Sequence, residues 1–205
     1  KLTLEQEQDM QVLKFLIHQL IQVGDMELLE LMCNRMDKGK ITDIQLVENF
    51  FDDIDLINSL ANTQKFYTVD EYNYNTGHSD AWPGTRTYCL DQQPVLHTLV
   101  KHSVEKKFNI ESDKHAYFFH RRGTKDNKKD WPHKDSSRYA LIVYLSKTNL
   151  NSGTVFYNDN QEVITDISFV NNRAILFNGQ IPHKSKLNYG EDSDIRLTLN
   201  GFFYD

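Results

Sequence analysis

The chain has 205 residues, enough for one medium domain with a modest appendage. Its 39% hydrophobic and 25% charged content is close to the globular average and argues against disorder, collagen-like repeats or a coiled-coil rod. A formal net charge of -6 argues against a general nucleic-acid binder, whose affinity rests on Lys and Arg neutralising phosphates.

Cys33 and Cys89 make neither a disulfide framework nor a thiolate cluster, so a reducing compartment is expected, with the cytoplasm favoured. The longest apolar stretch, 12–23, is broken by Lys14, His18, Gln19 and Gln22 and falls short of the roughly 20 apolar residues that span a bilayer. No membrane span is expected. The chain starts at Lys1, so targeting by a removed leader stays open.

From Leu4 to Val23, Met10, Leu13, Leu16, Ile17, Leu20 and Ile21 recur at helical spacing, and Gly24-Asp25 ends the run. Leu28, Leu29, Leu31 and Met32 continue the pattern to Met36, so residues 1–40 read as a helical hairpin appendage. Its Leu and Met stripe is expected to pack on the same chain, with dimerisation as the other reading.

A second domain is expected over 41–205. Residues 44–51 could form a strand, followed by a helix through Ile54, Leu56, Ile57 and Leu60 capped by Asp52 or Asp53. Residues 64–88, rich in Tyr, Asn, Thr and Gly, show no helical period and are read as irregular, without chemistry. The next helix spans 91–108, with Pro94 at its start and Val95, Leu96, Leu99, Val100, Val104 and Phe108 as its apolar positions. Short β runs follow at 116–119, 139–145, 154–157, 174–177 and 195–203. Helices first and strands after suggest an α+β chain with a sandwich or jelly-roll core.

The sharpest chemical signal is His133-Lys134-Asp135, because positions i and i+2 on an extended chain point to one side and can grip one ion. His183, after the 174–177 strand and a 179–182 turn, completes two histidines and a carboxylate. That set suits non-haem Fe(II), leaving positions open for an oxidant and a co-substrate. The bland alternative is two loop histidines with ordinary hydrogen bonds. In 195–203, Arg196, Thr198, Asn200 and Phe202 share one strand face, and a guanidinium projecting there would match a carboxylate bidentately. A diacid co-substrate would supply it.

With these parts in order, the chain resembles the 2-oxoglutarate and Fe(II) dependent dioxygenases, in particular their prolyl-hydroxylase-like branch. The resemblance runs over 41–205 through His133-Lys134-Asp135, the Tyr144-Leu145-Ser146 strand end, Gly153-Thr154-Val155-Phe156, 173–177, His183 and Arg196. It implies a double-stranded β-helix core with supporting helices. His133, Asp135 and His183 would hold the iron, and Arg196 and Tyr144 would bind the distal carboxylate of 2-oxoglutarate. Thr198 is a further pocket candidate, followed by Asn200. It also implies O2 as oxidant, ascorbate as a further candidate cofactor, and decarboxylation of 2-oxoglutarate to succinate. In halogenating relatives a small residue replaces Asp135, so its presence points to hydroxylation. The substrate would be a peptidyl proline, another protein side chain or a small molecule.

Two features depart from the family pattern. The interval from His183 to Arg196 is longer than usual and carries Glu191, Asp192 and Asp194, and His120 and Arg121 occupy the region where a tyrosine often precedes the His-x-Asp motif. The basic segment 120–130, with Arg121, Arg122, Lys125, Lys128 and Lys129, reads as a solvated loop, with a lid or an acidic-substrate contact as the alternative. Trp131 would wall the substrate side or plug the barrel mouth. His18, His97, His102 and His115 are read as ordinary, and His78 as lacking a partner. Two other functions stay open: a cupin-like metal-binding protein that does not use 2-oxoglutarate, and a non-enzymatic module assembled through its hairpin.

Overall fold

The computed structural model describes residues 43–110, 112–123, 131–186 and 195–205. The expected hairpin over 1–40, Lys125, Lys128 and Lys129 of the basic segment, and the acidic residues 191, 192 and 194 lie outside the described residues.

Strand β1 is Ile44–Val47, shorter than expected because the chain turns at Asn49, which has a positive φ. Helix α1 spans Ile54–Asn62 and is capped by Asp53, whose carboxylate accepts the Leu56 N–H at 2.9 Å. Between β2 (Tyr67–Thr68) and β3 (Thr85–Arg86) lies a helix that the periodicity does not predict, α2 (Val69–Thr76). Its apolar face is only Val69 and Tyr72, and it is organised instead by a Thr68–Glu71 capping box and a left-handed Gly77. Helix α3 (Pro94–Phe108) has Pro at its start, and its buried stripe is Leu96, Val100, Val104 and Phe108. Val95 points to solvent, so the buried face is narrower than the apolar pattern suggested.

The later strands are β4 (His115–Gly123), β5 (Tyr139–Tyr144), β6 (Asn149–Tyr157), β7 (Val163–Phe169), β8 (Ala174–Asn178), β9 (His183–Ser185) and β10 (Ile195–Phe203). Among the described residues they form a seven-stranded sheet, ordered β1-β8-β5-β10-β4-β3-β2, and a three-stranded sheet, ordered β7-β6-β9. This is the jelly-roll core. Strand β7 escaped the sequence reading because its first four residues are largely exposed, so its alternation is weak.

Period-two alternation divides the large sheet into two faces. One face, with Tyr117 and Phe119 of β4, Leu141 and Val143 of β5, Leu176 of β8, and Leu197 and Leu199 of β10, packs beneath α1 and α3. Each fully buried aliphatic side chain there contributes roughly 1.5–3 kcal/mol. On the opposite face, Ala140, Ile142, Tyr144, Ile175 and Phe177 meet Phe156, Ile167 and Phe169 of the small sheet. That inter-sheet layer is apolar around Phe156, Phe169 and Phe177, and beside it β4 and β10 line a cavity with both polar and apolar side chains.

Candidate metal centre

His133 and His183 form an isolated antiparallel bridge in which each backbone N–H donates to the other's carbonyl, at 3.0 and 2.9 Å. Residues directly opposed in such a pair project their side chains to the same face. Asp135, two residues along, is fixed by its N–H to Gly179 O at 2.8 Å and by Gln180 Nε2 donating to its carbonyl at 2.8 Å. A Cβ on Gly179 would collide with the Ser137 carbonyl, so only glycine lets the 179–182 turn lie against the His-x-Asp segment.

The two imidazoles are oriented alike. His133 Nδ1 lies 3.0 Å from Trp131 O, and His183 Nδ1 lies 3.0 Å from Ile181 O. A carbonyl only accepts, so each Nδ1 carries the proton and each Nε2 offers a lone pair. These Nε2 atoms lie 4.0 and 3.6 Å from the Asp135 carboxylate oxygens. The three donor atoms are within 4.8 Å of one another, in a setting graded from half-exposed His133 to buried His183. Burial pushes the Asp135 carboxyl above its ordinary range, with His133 opposing it. Two neutral imidazole nitrogens and one desolvated carboxylate fit a divalent transition metal, and the bound charge would return Asp135 to its ionised form.

The triad opens on a cavity of about 270 Å³. Arg196 lines it from β10 and is buried, with its guanidinium 5.7 Å from the Tyr144 ring centroid and 5.5 Å from that of Phe169. Tyr144 is fully buried and donates its hydroxyl to Thr154 Oγ1 at 2.8 Å; Thr154 lines the cavity, whereas Tyr144 stands behind it. Thr198, also fully buried, donates to Asn200 Oδ1 at 2.8 Å, and Asn200 is the one of this pair that lines the cavity. The structure therefore brings His133, Asp135, His183 and Arg196 around one space, with Tyr144 and Thr198 behind it.

The segment read as free of chemistry forms a cavity wall: Asp80, Trp82, Pro83 and Arg86 all line it. Arg86 donates to Asp80 at 2.7 Å and stacks 3.5 Å from the Trp82 ring centroid. The buried Trp82 Nε1–H meets no acceptor among the described residues. His78, read as partnerless, lies 3.6 Å from the Asp80 carboxylate. Gly84, at φ 83°, lets this loop seat on β4, since a Cβ there would strike Arg121 O and the Arg122 side chain. The sequence signal was the Asp80–Arg86 run itself, whose Trp, Pro and Gly mark a built turn. Trp131 walls the cavity beside His133 and is 54% exposed, and His120 lines it from β4. Among the described residues no helix is long and apolar enough to cross a membrane.

At the level of sequence the chain matches no protein-family model and no curated protein. Its fold does match solved structures. An oxidoreductase of the 2OG-Fe(II) oxygenase family from Burkholderia pseudomallei is similar at TM-score 0.58 and 9% identity, over 82% of this chain and 87% of that one. HygX from Streptomyces hygroscopicus, solved with nickel and 2-oxoglutarate bound, gives 0.53 and 11%, over 80% and 83%. A Pseudomonas putida prolyl-4-hydroxylase gives 0.50 and 15%, over 82% and 95%. The chain has the fold of the 2-oxoglutarate and Fe(II) dependent oxygenases.

Proposed function

We propose that this protein is a 2-oxoglutarate- and Fe(II)-dependent dioxygenase acting as a hydroxylase. The observation that carries this reading is the convergence of His133, Asp135, His183 and Arg196 on one cavity of an oxygenase fold. The triad would hold Fe(II), and Arg196 would pair with the distal carboxylate of 2-oxoglutarate. When bound, metal and co-substrate supply the oxidation, with O2 consumed, 2-oxoglutarate decarboxylated to succinate and the substrate hydroxylated.

The chain's own residues orient and exclude. Trp131 O and Ile181 O fix the histidine tautomers, and Asp135 occupies the ligand position that halogenating relatives vacate, which favours hydroxylation. Phe118, Ile142 and Phe202 give the cavity apolar walls against which a substrate would pack. At its rim Trp131 offers an aromatic surface to an incoming substrate.

The substrate class we favour is a side chain of a peptide or protein, peptidyl proline included. The half-exposed aromatic rim and the likeness to a prolyl-4-hydroxylase structure support that choice. The test is succinate formation from 2-oxoglutarate under O2, with and without proline-containing peptides. Formation that requires Fe(II) and stops in Asp135→Ala supports the proposal; no succinate from iron-loaded protein under any substrate contradicts it.

A further inference from the structure

The cavity holds a second buried arginine that the family pattern does not supply. In β4, Phe118, His120 and Arg122 alternate onto the cavity face, and in β10 Arg196, Asn200 and Phe202 do the same. The antiparallel register places Arg122 directly opposite Arg196, so the two side chains leave the sheet on the same side from neighbouring strands. Both are buried, at 2% and 6% exposure. Arg122 Nη1 donates to Ser185 Oγ of β9, which carries its guanidinium across the interior to the small sheet. There Thr154, hydrogen-bonded to Tyr144, is the cross-strand neighbour of Ser185.

We propose that Arg122 is a second anchor for the distal carboxylate of the co-substrate, meeting it from the strand next to that of Arg196. This rests on the reading of the cavity as a 2-oxoglutarate site. Both arginines line the same cavity from paired positions, and a guanidinium fork matches a carboxylate. A carboxylate has lone pairs enough for two forks, and the hydroxyls of Thr154 and Ser185 lie on the same wall. The neighbouring His120 adds no competing charge. Burial keeps its imidazole neutral, and the guanidiniums of Arg196, Arg122 and Arg86 act in the same direction. The metal triad would fix one end of a 2-oxo diacid and the arginine pair the other, so the site selects for a ligand charged at both ends.

The test is the affinity of manganese-loaded protein for 2-oxoglutarate and for 2-oxopentanoate, which has the same carbon chain without the distal carboxylate, measured by calorimetry. Arg122→Met should weaken 2-oxoglutarate by roughly 10- to 100-fold, the range for a hydrogen bond to a charged group. It should leave both 2-oxopentanoate and manganese binding unchanged. Arg122→Lys, which keeps the charge and loses the fork, should show a smaller loss with the same ligand dependence, and it decides the matter if the Met variant does not fold. Equal loss for both ligands, or wild-type affinity for 2-oxoglutarate in either variant, overturns the role of Arg122. If wild-type protein binds manganese but not 2-oxoglutarate, the co-substrate reading itself fails, and Arg122 with it.

Discussion

His133 and His183 are joined backbone to backbone, each N–H on the other's carbonyl, so two residues far apart in sequence present their imidazoles to one point. The bridge ties the His-x-Asp segment to β9, and the Gly179 turn holds it there. Gly179→Ala should push the turn away from Ser137 and open the triad. We expect a loss of about 1–3 kcal/mol in stability, as for overpacked sites, and weaker metal binding. Denaturant midpoints and metal titration of the same variant check both.

Removing a ligand outright should cost more. His183→Ala and Asp135→Ala are each expected to lower metal affinity beyond the roughly 10- to 100-fold typical of losing an outer-shell partner. Metal content after dialysis reads this directly.

Arg196→Gln separates the oxygenase reading from the cupin-like one. It should leave metal affinity unchanged and weaken 2-oxoglutarate by roughly 10-fold or more. Tyr144→Phe should act less on 2-oxoglutarate, because the Tyr144 hydroxyl donates to Thr154. Its main effect should be on stability, about 1 kcal/mol for a lost buried hydrogen bond. Parallel titrations of the two variants, with melting curves, check the order.

The pH dependence of stability should carry the mark of His120, whose Nε2 lies 2.6 Å from Pro83 O. Burial lowers its pKa to about 3 in the folded protein, against about 6.5 in an unfolded chain. Between those values the unfolded state binds the proton and the folded state does not, so stability falls as pH falls from about 6.5 towards 3. The slope approaches about 1.4 kcal/mol per pH unit for this group. In metal-free protein Asp135 opposes it, since its raised pKa favours the folded state on acidification. His120→Gln should therefore flatten the acid side of the profile, measured as urea midpoints from pH 7.5 to 4.5.

Both tryptophans of the chain, Trp82 and Trp131, line the cavity. Intrinsic fluorescence should change when metal and 2-oxoglutarate enter it, and Trp131→Phe should remove part of that change without altering metal content.

The parts of this protein governed by period were legible in its sequence. Strand β10 shows both faces in its alternation, and α3 announces itself by Pro94 and its apolar spacing. His-x-Asp is a strand-period motif, so its same-sided geometry could be read as well. What could not be read depends on pairing between strands. The opposition of Arg122 and Arg196 is a matter of register between β4 and β10, and nothing local to either strand encodes it. The hydroxyl of Tyr144 turns to Thr154 because β6 crosses beneath β5, a contact between sheets. Helix α2 and the loop from Asp80 to Arg86 are held by capping and by an Arg–Trp stack, so they carry no hydrophobic period.

Whether one cavity holds both the metal and a 2-oxo diacid is read by anaerobic titration of the metal-free protein with Fe(II) and then 2-oxoglutarate. A visible charge-transfer band should appear only with both ligands present and be absent in His133→Ala. Tight iron binding with no band on adding 2-oxoglutarate would rule out the co-substrate site and leave a cupin-like metal protein; binding of neither would reduce the triad to a bridged histidine pair and a carboxylate with ordinary hydrogen bonds.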